Sequence, residues 1–175
     1  MEYVINPEEI DARAALIVDI LTSRGWTISF AESCTAGLAA AHLVDIPSAS
    51  NVFNASFVTY SNEAKEKYLG VSAETIAEKG VVSEEVAVQM AVGTARANGA
   101  QVGVGITGIA GPTGGTKTKP VGMVCFGFVI DGKTMSATKQ FGEIGRDAVR
   151  LASVEYVYSF LATMLPRLTG MKFEM

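Results

Sequence analysis

The sequence predicts an α/β fold in three layers, with helices on both faces of a single mixed sheet. Three observations predict it. Segments with apolar residues at helical spacing alternate with short extended runs along the whole chain. Capping residues and glycines punctuate most junctions between these segments. Late in the chain, two extended runs flank an Asp-Gly pair, which adds an antiparallel hairpin to strands that helices otherwise connect.

Asn6-Pro7-Glu8-Glu9 opens the first helix with a side-chain cap, a proline in the first turn and two acids favoured by the helix dipole. Ile10, Ala14, Ile17, Ile20 and Leu21 follow at helical spacing, and Gly25 closes the run. Alternation over 26–30 predicts a strand, 31–35 reads as a turn, and the small residues of 36–44 form a helix that stops before Pro47. A second strand is expected over 57–60. Ser61-Asn62-Glu63 caps a helix over 64–69 closed by Gly70, and Ser83-Glu84-Glu85 caps a longer one over 86–98 closed by Gly99. Residues 102–106 read as a strand, and 121–130 and 134–141 as the hairpin around Asp131-Gly132. The final helix spans 146–165, with apolar Val149, Val154, Val157, Phe160, Leu161 and Leu165. No repeat or linker interrupts the pattern, so 1–175 is expected to be one domain, long enough to bury a core.

Composition excludes several function classes. Hydrophobic residues make up 49% of the chain and the formal net charge is −4, which argues against disorder and against a nucleic-acid partner needing a basic surface. Apolar stretches break well short of the roughly 18 residues of a membrane span. Acids precede any apolar run at the N-terminus, unlike a secretory or transit leader, so a cytoplasmic location is expected. Cys34 and Cys125 show no pairing pattern, as suits a reduced compartment. With one histidine and no Cys/His ligand spacing, neither a metal site nor a cofactor is expected.

Ser33 closes a strand and opens a helix. A hydroxyl there lies near unpaired backbone N–H groups that can stabilise an oxyanion, and Thr35, Ala36 and Gly37 leave room for a substrate. A plain helix N-cap explains the same serine. A serine nucleophile needs a base, and His42 lies nine residues on along the predicted helix, roughly 13 Å away at 1.5 Å per residue, beyond proton-transfer reach. Lys65 falls in the first turn of its helix, where the dipole disfavours a cation; with burial, this favours the neutral amine that a base requires. A solvated helix lysine is the ordinary alternative. Tyr60 could relay a proton or hold the amine, and Glu32 could orient the lysine or satisfy buried backbone. Cys34 is a rival nucleophile at the same helix start, or a small buried residue.

Five glycines fall within 105–116, where main-chain N–H groups can converge on an anion and Thr107, Thr113 and Thr116 add hydroxyls. The Gly-Lys-Ser/Thr ending of a phosphate loop is missing, and so is the dinucleotide spacing. Lys117 and Lys119 follow, and Arg146 and Arg150 stand one turn apart on the last helix; all four suit an anionic ligand or a solvated surface.

Taken together, Ala31 through Gly37, Thr59 through Lys65 with Leu69-Gly70-Val71, Gly105 through Gly115 and Lys119-Pro120-Val121-Gly122 closely resemble the CinA C-terminal domain family, in order and spacing. The chain departs at Lys117-Thr118, where members often carry Pro-Glu, and at Ala36, often glycine. The resemblance implies a three-layer fold and a metal-free amidohydrolase that converts nicotinamide mononucleotide to nicotinate mononucleotide and ammonia through a Ser/Lys pair. It makes Ser33 the nucleophile, Lys65 the base and Tyr60 a supporting catalytic residue. The expected substrate contacts are Glu32, Thr35, Asn62, Thr107, Gly108, Gly111, Gly114, Gly115 and Arg146. The implied partner is a small nucleotide, with no nucleic acid and no membrane, and the chain is expected to form a homo-oligomer. A catalytically silent nucleotide-binding or regulatory module is the competing reading; another amide or a phosphate ester is a third.

Overall fold

A computed structural model describes residues 6–170; the first five residues, part of the leader reading, and the last five lie outside the described range. In chain order the elements are α1 (Pro7–Arg24), β1 (Ile28–Glu32), α2 (Leu38–Val44), β2 (Phe57–Val58), α3 (Asn62–Leu69), α4 (Ala73–Lys79), α5 (Glu84–Asn98), β3 (Val102–Gly108), β4 (Met123–Ile130), β5 (Lys133–Gln140) and α6 (Arg146–Thr169). The fold is α/β, as expected: five strands form one mixed sheet in the order β2-β1-β3-β4-β5. β2, β1 and β3 run parallel, while β3-β4 and β4-β5 are antiparallel.

The pleat of the strands divides the core in two. Ile28, Phe30, Val102, Val104, Ile106, Phe126 and Phe128 face α1, α2 and α6 in the main apolar cluster. On the opposite face β3 and β4 present Gly103, Gly105 and Gly127, and α5 lies directly on their backbones. A Cβ on Gly103 would meet Ala91 O at 2.2 Å, and one on Gly105 would meet Ala87 O at 2.1 Å. Glycine there is a packing requirement, because the helix backbone fills the space a side chain would take. α3 and α4 pack on α5 and complete the second helical layer.

The caps read from sequence hold at α1, α3 and α5, where Asn6, Ser61 and Ser83 accept from the first-turn N–H groups. Asp131 and Gly132 both take positive φ at the hairpin, as its two-residue turn requires. Several boundaries differ from expectation, among them those of β2, which ends at Val58 rather than at 60, and β3, which runs to Gly108. β1 starts at Ile28 and includes Glu32; α2 starts at Leu38 rather than at 36; and α6 runs past Pro166 to Thr169. The unexpected α4 is capped by Ser72 and buries no residue, so no apolar period announced it. Among the described residues no helix is long and apolar enough to cross a membrane.

Candidate active site

Three parallel strands end side by side at one edge of the sheet, and the cavity lies just beyond them. The Ser33 N–H donates to Ile106 O (3.0 Å) and the Thr59 N–H to Glu32 O (2.9 Å), which carries the ladders of β1 and β2 one residue past their ends. From β1 the chain passes to β2 on one side and later to β3 on the other. Ligands collect at such a reversal of strand order, because the connecting segments diverge and leave a crevice. The cavity of about 350 Å³ is lined by Ser33, Cys34, Tyr60, Asn62, Lys65, Val81, Val82, Thr107 to Gly111, Thr113, Gly114 and Arg146.

Successive side chains alternate across the sheet, so Glu32 and Ser33 leave β1 on opposite faces. Ser33, 8% exposed, meets Lys65, 1% exposed, from α3. Lys65 sits one turn inside α3, where a side chain leans back toward the helix N-terminus. That lean brings Nζ to Ser33 Oγ (3.0 Å), Thr59 O (2.7 Å) and Tyr60 O (3.4 Å). Burial pushes the Lys65 amine below the ordinary lysine value, with the Cys34 sulfur opposing. The described residues offer it no carboxylate within ion-pair distance. In the neutral form, two N–H bonds to the carbonyls leave the lone pair for the Ser33 hydroxyl.

Glu32 turns to the other face, and its role differs from the expected substrate contact. Its oxygens accept from Gly37 N (3.0 Å), Ala39 N (3.1 Å) and Ala40 N (2.9 Å), so the carboxylate caps α2. Ser33 is therefore not the N-cap. It belongs to a turn, 33–37, that ends on Gly37 at φ 92°. The helix-start donors expected to hold an oxyanion are consumed by Glu32. In the turn itself, the Cys34 N–H turns to its own sulfur, and the Thr35 N–H has no main-chain acceptor among the described residues.

The other expected residues divide in the same way. Asn62, Thr107, Gly108, Gly111, Gly114 and Arg146 line the cavity, whereas Thr35 and Gly115 do not. Thr35 is fully buried, and its hydroxyl finds no hydrogen-bond partner. Thr107 donates its hydroxyl proton to Val81 O (3.0 Å) and so offers the cavity only lone pairs. The Tyr60 phenol does not hold the amine: it accepts from Arg146 Nη2 (2.9 Å), and the main-chain oxygen of Tyr60 is what touches Lys65. Arg146 Nη1 donates to Gly111 O (2.8 Å), tying α6 to the glycine-rich segment.

Lys119 is engaged by the main chain. Its Nζ donates to Lys79 O and Val82 O (2.6 Å) and straps the segment before α5 to the loop 116–119. Sequence reading missed Val81, Val82, Ile109 and Ala110 as cavity walls; an apolar Val-Val pair just before the Ser83 cap was the only signal. Burial pushes the Cys34 thiol up to about 12, which removes it as a thiolate near neutral pH. His42 lies apart from the cavity, with Nδ1 3.8 Å from Asp11. Among the described residues no three His, Cys, Asp or Glu side chains converge as metal ligands.

Comparison with known proteins adds the lineage. A family model described as the CinA C-terminal domain matches residues 10–165. The nicotinamide-nucleotide amidohydrolase PncC of Enterobacter agglomerans is 48% identical over 137 residues, 78% of this chain and 83% of its own. A CinA-like protein of Kosmotoga olearia is 43% identical over 164 residues; the match takes in 94% of this chain but only 39% of that protein's length. The crystal structure of the competence/damage inducible protein CihA from Agrobacterium tumefaciens superposes with a TM-score of 0.86 at 39% identity, covering 93% of this chain and 98% of its own. A CinA superfamily protein from Klebsiella pneumoniae gives 0.85 at 32% identity, covering 90% and 98%.

Proposed function

The chain belongs to the CinA C-terminal domain family, and from that premise we propose that it is a nicotinamide-nucleotide amidase with Ser33 as nucleophile and Lys65 as base. The observation that carries the reading is the buried 3.0 Å contact between Lys65 Nζ and Ser33 Oγ. The identity of 48% to an amidohydrolase named for this substrate supports the substrate class.

Neutral Lys65 accepts the Ser33 proton as Oγ attacks the carboxamide carbon, forming the C–O bond and moving the carbonyl pair onto oxygen. The Cys34 N–H, on the cavity wall next to Ser33, supplies a donor for that oxyanion. Collapse breaks the C–N bond, and the proton on Lys65 leaves with ammonia. Water, deprotonated by the same amine, then cleaves the acyl-serine, returns the proton to Ser33 and releases nicotinate mononucleotide. Thr107, whose hydroxyl proton is committed to Val81, accepts from the amide NH₂. Arg146, Asn62 and the glycine-rich wall bind the rest of the nucleotide.

The test is to incubate purified chain with nicotinamide mononucleotide and follow ammonia and nicotinate mononucleotide. Turnover is expected in the wild type and a loss of about 10⁴-fold or more in Ser33→Ala with its fold intact. Wild-type protein that binds the nucleotide without turning it over would make the chain a silent binding module.

A further inference from the structure

We propose that Arg150, one turn into α6, is a positioning residue that holds the Ser33 turn in its reactive form, an inference that rests on the amidase reading above. Its Nε donates to Cys34 O and its Nη2 to Thr35 O, both at 3.1 Å, so it grips the two residues that follow the nucleophile. A guanidinium delivers both bonds from one rigid plane, which an ammonium cannot. In a trans peptide the C=O and the next N–H point in opposite directions. Holding Cys34 O and Thr35 O against α6 therefore fixes the two peptide planes that follow Cys34, a residue on the cavity wall beside Ser33.

The turn needs such a hold. Ala36 at φ 50° and Gly37 at φ 92° are both left-handed, a region disfavoured for any residue with a Cβ. Strained backbone persists only where its surroundings over-determine it. Glu32 grips the N–H side of the turn through Gly37, Ala39 and Ala40, and Arg150 grips the C=O side from the neighbouring helix. Without Arg150 these two peptides are free to rotate, and the turn that sets Ser33 and Cys34 at the cavity loses its fixed form.

Arg150 differs in this from Arg146, which lines the cavity while Arg150 does not. The remaining Nη1 of Arg150 lies 3.8 Å from the exposed Asp147 carboxylate. It acts on the reaction through the turn and does not touch the substrate.

The test compares wild type, Arg150→Lys and Arg150→Met. Each is assayed for turnover of nicotinamide mononucleotide, for the rate at which an alkyl fluorophosphonate labels Ser33, and for thermal unfolding. The phosphonate reads serine activation and oxyanion donors without any amide substrate. Arg150→Met is expected to lower both kcat and labelling by about 100-fold, with KM changed less than about threefold. Arg150→Lys should fall between it and the wild type, and it carries the test alone if the methionine variant does not fold. A raised KM with kcat unchanged would make Arg150 a substrate ligand and overturn the proposal. So would activity lost only in step with unfolding, or wild-type labelling no faster than in the variants. Rapid wild-type labelling that slows in the variants, with the nucleotide left intact by all three, keeps Arg150 in its role and discards the amidase reading instead.

Discussion

Glu32 and Lys65 are both withdrawn from water beside Ser33, one on each face of the sheet, at 0% and 1% exposure. Their surroundings differ in what they leave unsatisfied. The Glu32 carboxylate accepts from three main-chain N–H groups at the positive end of α2, so its charge is balanced where it sits. Lys65 has two carbonyls and a hydroxyl but no counter-charge among the described residues, and burial draws it toward the neutral amine. One buried ionisable group is thereby a structural cap, and the other fits the base proposed for Ser33. Proximity to Ser33 and burial do not distinguish them; the bonding capacity left over does.

Removing Lys65 should give the larger effect. Lys65→Met is expected to lower turnover by about 10³-fold or more, in the upper range for a lost general base. The wild-type pH profile of kcat/KM should rise with an apparent pKa below the 10.5 of an ordinary lysine. Stability carries the same signature. The folded-state value is lowered, so between it and 10.5 the unfolded chain holds the extra proton, and raising pH through that window stabilises the wild type. Melting temperatures of wild type and Lys65→Met measured across pH should move in favour of the wild type as pH climbs. A constant difference would mean that the amine is not perturbed and would break the contrast with Glu32.

Glu32→Gln should act on stability first. Exchanging a charged acceptor of three N–H bonds for an amide is expected to cost roughly 3 kcal/mol, near 10 °C in Tm for a chain of this size. The pH midpoint of activity should stay where it was, since Lys65 lies on the other face. A shifted midpoint with unchanged Tm would make Glu32 a participant in proton transfer. Cys34→Ala should have the smallest effect, within about threefold in turnover, since a thiol pushed up to about 12 supplies no thiolate near neutral pH. Retained turnover in Ser33→Ala together with its loss in Cys34→Ala would exchange the two as nucleophile.

Legibility followed the range of the forces involved. Caps at Asn6, Ser61 and Ser83, the hairpin turn at Asp131-Gly132 and the helical periods all close within a few residues, and the structure has them where the sequence predicts. α4 escaped because seven residues without a buried face leave no period to read. The misplaced start of α2 has a single cause. The residue capping it lies five positions before Gly37, beyond the local spacing from which caps are recognised, and Glu is not an expected N-cap.

By itself the sequence determined the layer architecture and, α4 apart, the order of its elements; it also set His42 apart from Ser33, though on the premise of one helix where the structure has a turn followed by α2. The meeting of Lys65 with Ser33 across 32 positions, and of Arg146 with Tyr60 across 86, was decided only when β1 took its place between β2 and β3. Tertiary structure also separated Glu32 from the cavity and set Arg150 against the turn. The reason is the strand pleat, in which one residue's step exchanges faces: neighbours in the chain part company, and distant residues meet according to which strands pair.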